Sequence, residues 1–188
     1  GYEHSFMTRA WSADPGLDVD TVTRKGRNND GQDTFLVQAD AGRSAALVSG
    51  VPSRRDQLYA YDALIVANLE GDFFTRNQLA TVADFVSERG GGLLVLGGRS
   101  FAKGGLAGTP LEDVLPVELT DRRGGLMRAS LGAGDLAAHN RLTMTPEGET
   151  HPIMRVGASV EDMRARWAAL PPLASSAALG APRPGATV

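Results

Sequence analysis

Cysteine is absent from this 188-residue chain. That absence removes disulfides, cysteine-ligated metal sites and a cysteine nucleophile together. Histidine is nearly as scarce: His4, His139 and His151 stand far apart, without metal-ligand spacing. No metal or cofactor is therefore expected. Neither sign of charge dominates, and a formal net charge of -3 with no lysine or arginine cluster gives no electrostatic case for a nucleic-acid partner. Long hydrophobic runs are missing too, since none approaches the roughly 20 residues that span a bilayer. No signal-peptide pattern opens the chain. Glycine is plentiful, with 23 residues, and so is proline, with 10; both concentrate after Gly90 and predict a turn-rich second half. An apolar fraction of 42% suffices for the core of one domain over residues 1–188, while two would be cramped.

The most readable stretch runs from Tyr61 to Leu119. Asp62-Ala63-Leu64-Ile65-Val66-Ala67-Asn68 is a short apolar run that ends in polar residues and Gly71. Thr75-Arg76-Asn77-Gln78 then opens a helix, with Leu79, Val82, Phe85 and Val86 at helical spacing and Gly90-Gly91-Gly92 as its stop. Leu93-Leu94-Val95-Leu96 is a second apolar run, ending on Gly97-Gly98-Arg99-Ser100-Phe101. The pattern predicts strand, crossover helix and parallel strand. Runs apolar on both sides predict a sheet covered on both faces. In open parallel sheets ligands sit beyond the carboxyl ends of the strands, where residues 68–72 and 97–101 would lie.

The flanks are less periodic. Tyr2, Phe6, Met7, Ala10 and Trp11 predict one apolar face of a first helix, ended by Asp14-Pro15-Gly16. A strand is expected over residues 17–22 and a shorter one over 34–37, with a turn at Asn28-Asn29-Asp30-Gly31. Ser53 is expected to cap a short helix over 54–61. Thr109-Pro110-Leu111-Glu112 has the residues of a capping box with proline at the first helical position. Residues 120–140 read as loops or short antiparallel strands, 141–144 as a strand, and Ser159-Val160-Glu161-Asp162 as the start of a helix carrying Met163 and Trp167. Ala186-Thr187-Val188 reads as a strand cut short.

Three groups of residues could carry chemistry. Gly97-Gly98-Arg99-Ser100 follows a strand, where glycines permit a sharp turn and expose amide donors to an anion or oxyanion, with Ser100 a conceivable nucleophile. The bland alternative is a tight turn and nothing more, because Gly-x-x-x-x-Gly-Lys-Ser/Thr is absent. His151, near Glu147 and Glu149, could act as a base with a carboxylate orienter. Its bland alternative is a cap on the helix that Pro152 begins. Glu70 and Asp72 could bind a cation or polarise water, or simply be solvated acids beyond a strand.

The chain resembles the class I glutamine amidotransferase-like domain of large bacterial membrane-anchored proteins, where it often accompanies a von Willebrand factor A domain. Carrying residues are Tyr61-Asp62-Ala63-Leu64-Ile65, Phe85-Val86, Arg89-Gly90-Gly91-Gly92-Leu93-Leu94 and Leu96-Gly97-Gly98, then Gly105-Leu106-Ala107-Gly108-Thr109-Pro110-Leu111 and Asp113-Val114-Leu115-Pro116-Val117. Weaker matches are Tyr2–Phe6, Thr145–Ile153 and Trp167–Leu173. The resemblance implies an α/β fold, a three-layer flavodoxin-like and mostly parallel sheet, with this chain trimmed at both ends of the family's pattern. True enzymes of the class carry a Gly-x-Cys-x-Gly turn and a His-x-Glu pair. Here the turn holds Gly98, Arg99 and Ser100, and His151 is followed by Pro152 and Ile153.

What the resemblance implies is therefore a non-catalytic domain for ligand binding or protein contacts within a larger envelope-associated protein, reaching a membrane only through that protein. Its partners would be neighbouring domains of the same polypeptide or other envelope proteins. The ligand-binding set expected is Glu70, Gly71, Gly97, Gly98, Arg99 and Ser100. Two alternatives stand beside this one: a hydrolase using Ser100 with His151 as base, and a structural spacer. Open sheet edges make a homodimer an expectation as well.

Overall fold

A computed structural model describes residues 2–101, 104–119, 141–173 and 179–187. The fold is mixed α/β, with one small antiparallel and one small parallel sheet among the described residues. Helix α1 spans Tyr2–Ser12, strands β1 and β2 span Thr21–Arg27 and Asp33–Gln38, and helices α2 and α3 span Ala41–Leu47 and Arg55–Leu58. The central unit is β3 (Ala63–Ala67), α4 (Arg76–Ser87) and β4 (Gly92–Leu96), followed by the short helix α5 (Gly98–Phe101). Helices α6 (Pro146–Thr150) and α7 (Val160–Ala168) come last, and 3-10 turns occupy Gly71–Phe73, Pro110–Val114 and Pro152–Met154.

The central unit forms for local reasons that its sequence states. Thr75 closes a capping box with Gln78: its hydroxyl accepts from the Gln78 amide at 3.2 Å, and the Gln78 side chain accepts from the Thr75 amide at 2.9 Å. Leu79, Val82 and Phe85 then fall on one face and are buried, with Val86 half-buried beside them. They meet Leu58, Val66, Phe74, Leu106 and Leu111 in a single core cluster. Each such side chain contributes about 1.5–3 kcal/mol by leaving water. The strands pair in parallel, from Ala63 opposite Gly92 to Ala67 opposite Leu96. Leu64, Leu93 and Val95 turn toward the core with Val66. The opposite face differs from expectation: among the described residues Ile65 and Leu94 stay 36% and 41% exposed, so this sheet is covered on one face.

The amino-terminal hairpin docks through aromatic and ionic contacts. The Phe35 ring meets Phe73 edge-on at 5.7 Å. Behind it, Asp20 has a buried side chain, 4% exposed, which accepts from Arg43 Nε at 2.5 Å and from the Tyr61 hydroxyl at 2.7 Å. One carboxylate thus ties the segment before β1 to α2 and to the entry of β3. Hydrogen bonding to Arg43 holds the Asp20 carboxyl below its usual value of 3.8 despite burial. Burial, then the bond to Asp20, pushes the Tyr61 phenol up to about 12.

The two shifts bracket a stability window. A depressed carboxyl pKa contributes stability that is present above the unfolded pKa and lost as pH falls through the folded one. A raised phenol pKa contributes stability present below the tyrosine value of 10.0 and lost as pH climbs toward 12. Urea unfolding from pH 2 to 12 is expected to show both losses. Asp20→Asn removes the acid-side component and weakens the alkaline one.

Several local expectations need correction. The first strand runs over Thr21–Arg27 rather than 17–22, because Arg24 pairs with Asp33 across the ladder at 2.8 Å and fixes that register. In α1 the half-buried face is His4, Met7, Thr8 and Trp11, while Phe6 and Ala10 are exposed. Ser53 does not cap; Arg54 is the residue before α3 and no side chain caps it. Residues 141–144 form no strand, and Ala186 and Thr187 lie outside any strand. Ser159 does cap α7, accepting from the Asp162 amide at 3.1 Å. The reading of 120–140 falls outside the described residues, as do Val188 and His139.

Candidate functional site at the strand ends

Both strands end on backbone that only special residues tolerate. Asn68, after β3, has a φ of 55°, and Gly97, after β4, has a φ of 90°. Asparagine enters this left-handed region more readily than most side chains, and glycine does so freely. The two turns touch: a Cβ on Gly97 would lie 2.9 Å from the Asn68 Cβ. The Asn68 carboxamide oxygen accepts from the Arg99 amide at 3.2 Å, and the Asn68 amide donates to the Leu96 carbonyl at 2.6 Å.

Around this junction the fold gathers the residues expected from the sequence. Arg99 Nη1 lies 3.3 Å from Glu70 Oε1, an exposed pair worth about 0–1 kcal/mol. The Gly71 amide donates to the Gly104 carbonyl at 2.8 Å. Gly71 and Gly105 are there for close backbone approach: a Cβ on Gly71 would come within 2.3 Å of the Gly105 carbonyl oxygen, and one on Gly105 within 2.4 Å of the Ser100 carbonyl oxygen. The space immediately beyond the strands at this point is filled by main chain.

Ser100 is the decisive side chain. It has no exposed surface. Its hydroxyl accepts from the Leu69 amide at 3.1 Å and reaches back 3.5 Å toward the Leu96 carbonyl, the residue four earlier. Oγ therefore ties the end of β3 to the end of β4. A nucleophile needs the opposite arrangement: a hydroxyl facing substrate with a base in reach.

His151 is placed elsewhere in role. Its Nδ1 accepts from the Ile153 amide at 3.3 Å and caps the 3-10 turn Pro152–Met154, on an exposed ring. Among the described residues no hydrogen bond joins it to Ser100. Glu149 does not orient it either, because both its oxygens are taken by Arg164 at 2.9 and 2.7 Å, which lowers the Glu149 pKa. Asp72 lies 3.6 Å from Arg24. Among the described residues, no three histidine, aspartate or glutamate side chains gather as a metal site would require.

Two features escaped sequence reasoning. Glu112 is 1% exposed; its Oε2 accepts from the Gly108 amide at 2.6 Å and its Oε1 from the Leu119 amide at 3.1 Å. It stands at the third position of the anticipated box, yet the Thr109 side chain caps nothing and donates to the Leu106 carbonyl at 2.6 Å. The carboxylate holds a loop closed instead. The second feature is a pair of open clefts. One of about 230 Å³ is lined by Arg76, Gly108, Thr109, Pro110, Glu112 and Asp113, and the other, about 300 Å³, lies between residues 113–116 and 183–186.

What the fold and site define is a mixed α/β domain with a closed turn at its parallel strand ends. No family model, no curated protein and no solved structure matches the chain.

Proposed function

We propose that this chain is a non-catalytic α/β domain, of the flavodoxin-like kind that the amidotransferase resemblance implies, working through contacts with neighbouring domains of a larger envelope-associated protein. The observation that carries this reading is the sealed Ser100 hydroxyl. Where an enzyme of that class presents its nucleophile, this chain uses the side chain to hold two strand ends together. A ligand-binding role would rest on Arg99 and Glu70, which meet in one exposed contact at 3.3 Å. Contact with protein is favoured by Ile65 and Leu94, two large apolar side chains exposed side by side on a parallel sheet. Parallel sheets ordinarily have both faces covered.

The test has two arms. The purified domain is expected to release no ammonia from glutamine, and Ser100→Ala is expected to change nothing in that assay. It is also expected to bind a hydrophobic dye or to self-associate, and Ile65→Ser with Leu94→Ser should reduce either behaviour. Ammonia release abolished by Ser100→Ala would overturn the non-catalytic reading. A strict monomer that binds no dye would overturn the contact reading.

A further inference from the structure

Asp30-Gly31 is the single Asp-Gly pair in the chain, and Asn-Gly does not occur at all. The pair sits at the tip of the β1–β2 hairpin, in the turn between Arg27 and Asp33, and both residues are exposed. We propose that this bond is a self-modification site, at which the folded chain converts Asp30 to isoaspartate and so acquires a mark that isoaspartate-specific carboxyl methyltransferases read.

The chemistry is intramolecular. The Gly31 nitrogen attacks Asp30 Cγ and closes a five-membered succinimide ring. The new N–C bond replaces a C–O bond of the carboxyl group, and the hydroxyl leaves with the amide proton as water. Water then opens the ring. Breaking the bond from nitrogen to Cγ restores aspartate, whereas breaking the bond from nitrogen to the main-chain carbonyl carbon leaves isoaspartate. Mass is unchanged, neither oxidant nor cofactor is consumed, and the main chain gains one carbon. Ring closure of this kind depends on how freely the two reacting atoms can meet.

At this turn they meet with little in the way. Gly31 has a φ of 76° and nothing within 4 Å of the position a Cβ would take, so neither a side chain of its own nor a packed neighbour covers that side of its nitrogen. The Asp30 carboxylate makes no ion pair or hydrogen bond among the described residues. Asp20, Asp33 and Asp162, by contrast, are each held by an arginine. One restraint remains: the Gly31 amide donates to the Asn28 carbonyl at 3.0 Å. A bond at an exposed hairpin tip opens far below the global unfolding free energy. The Asn28 carboxamide oxygen also accepts from the Asp30 amide at 3.0 Å and the Gln32 amide at 2.8 Å, as in an Asx turn. The extra carbon would enter the main chain between those two amides.

Methyl labelling tests this. The folded full chain, aged in warm neutral buffer, is expected to take up label from an isoaspartate-specific carboxyl methyltransferase and its sulfonium methyl donor. Peptide mapping should place that label at Asp30. Asp30→Glu keeps the charge and the turn but would need a six-membered ring, and it is expected to lose the label. Gly31→Ala adds a methyl beside the attacking nitrogen and is expected to lose most of it. An aged chain that takes up no label would overturn the proposal. So would label that maps to another aspartate, or that persists undiminished in either variant.

Discussion

Phe85→Ala is expected to lower the unfolding free energy by about 3–5 kcal/mol. The ring has no exposed surface and sits where the central helix, α3 and the entry of β4 converge. Tyr59 packs against it at 6.0 Å between centroids, and the Arg89 guanidinium lies 5.5 Å above it. The chain turns under it at Gly91, where a Cβ would come within 2.1 Å of the ring. Removing the ring loses its transfer free energy and leaves a cavity that a two-stranded sheet cannot collapse to fill. Chemical denaturation measures the loss directly. The same geometry makes Gly91→Ala damaging in the native background and nearly harmless once residue 85 is alanine, because the two changes meet in one space.

Gly105→Ala is expected to disrupt the turn at the strand ends. The new Cβ would lie 2.4 Å from the Ser100 carbonyl oxygen and 2.6 Å from that of Arg99. Both are main-chain atoms, so no side-chain rotation relieves the clash. Overpacking of this kind costs about 1–3 kcal/mol, and more when backbone must move. The shift would also pull on the Leu106 amide, which donates to the Ser100 carbonyl at 2.8 Å. Gly42→Ala in α2 is the control. Nothing lies within 4 Å of its Cβ position. There the methyl is expected to stabilise by roughly 0.4–1 kcal/mol through helix propensity and a less free unfolded chain. Melting temperatures that move in opposite directions for the two variants would support the close-packed turn.

The central unit was legible because its signals are local. Thr75 and Gln78 are three residues apart, and the helical spacing of Leu79, Val82 and Phe85 survives into the core unchanged. Glycine at 97 likewise announced a turn, and Glu70 and Arg99 met where the strand ends placed them. What stayed illegible depends on partners distant in sequence. Ser100 looks like any exposed turn serine until the Leu69 amide, 31 residues away, is seen to need its oxygen. Arg24 and Asp33 moved a strand that propensity placed earlier, since its polar residues gave no apolar alternation to follow. Thr109 and Glu112 spell a capping box, but burial of Glu112 redirected its carboxylate to the Gly108 and Leu119 amides. Apolar runs suggested two covered faces; the described residues cover one, and the exposure of Ile65 and Leu94 had no signature in their own sequence.

Ser100 is a structural tie between the two strand ends. Intact-mass analysis after incubation with a fluorophosphonate probe reads that most directly, followed by peptide mapping of any adduct. The predicted result is no adduct at Ser100 in the folded domain, since its Oγ is inaccessible and engaged by the Leu69 amide. A stoichiometric adduct mapped to Ser100, and lost in Ser100→Ala, would contradict it.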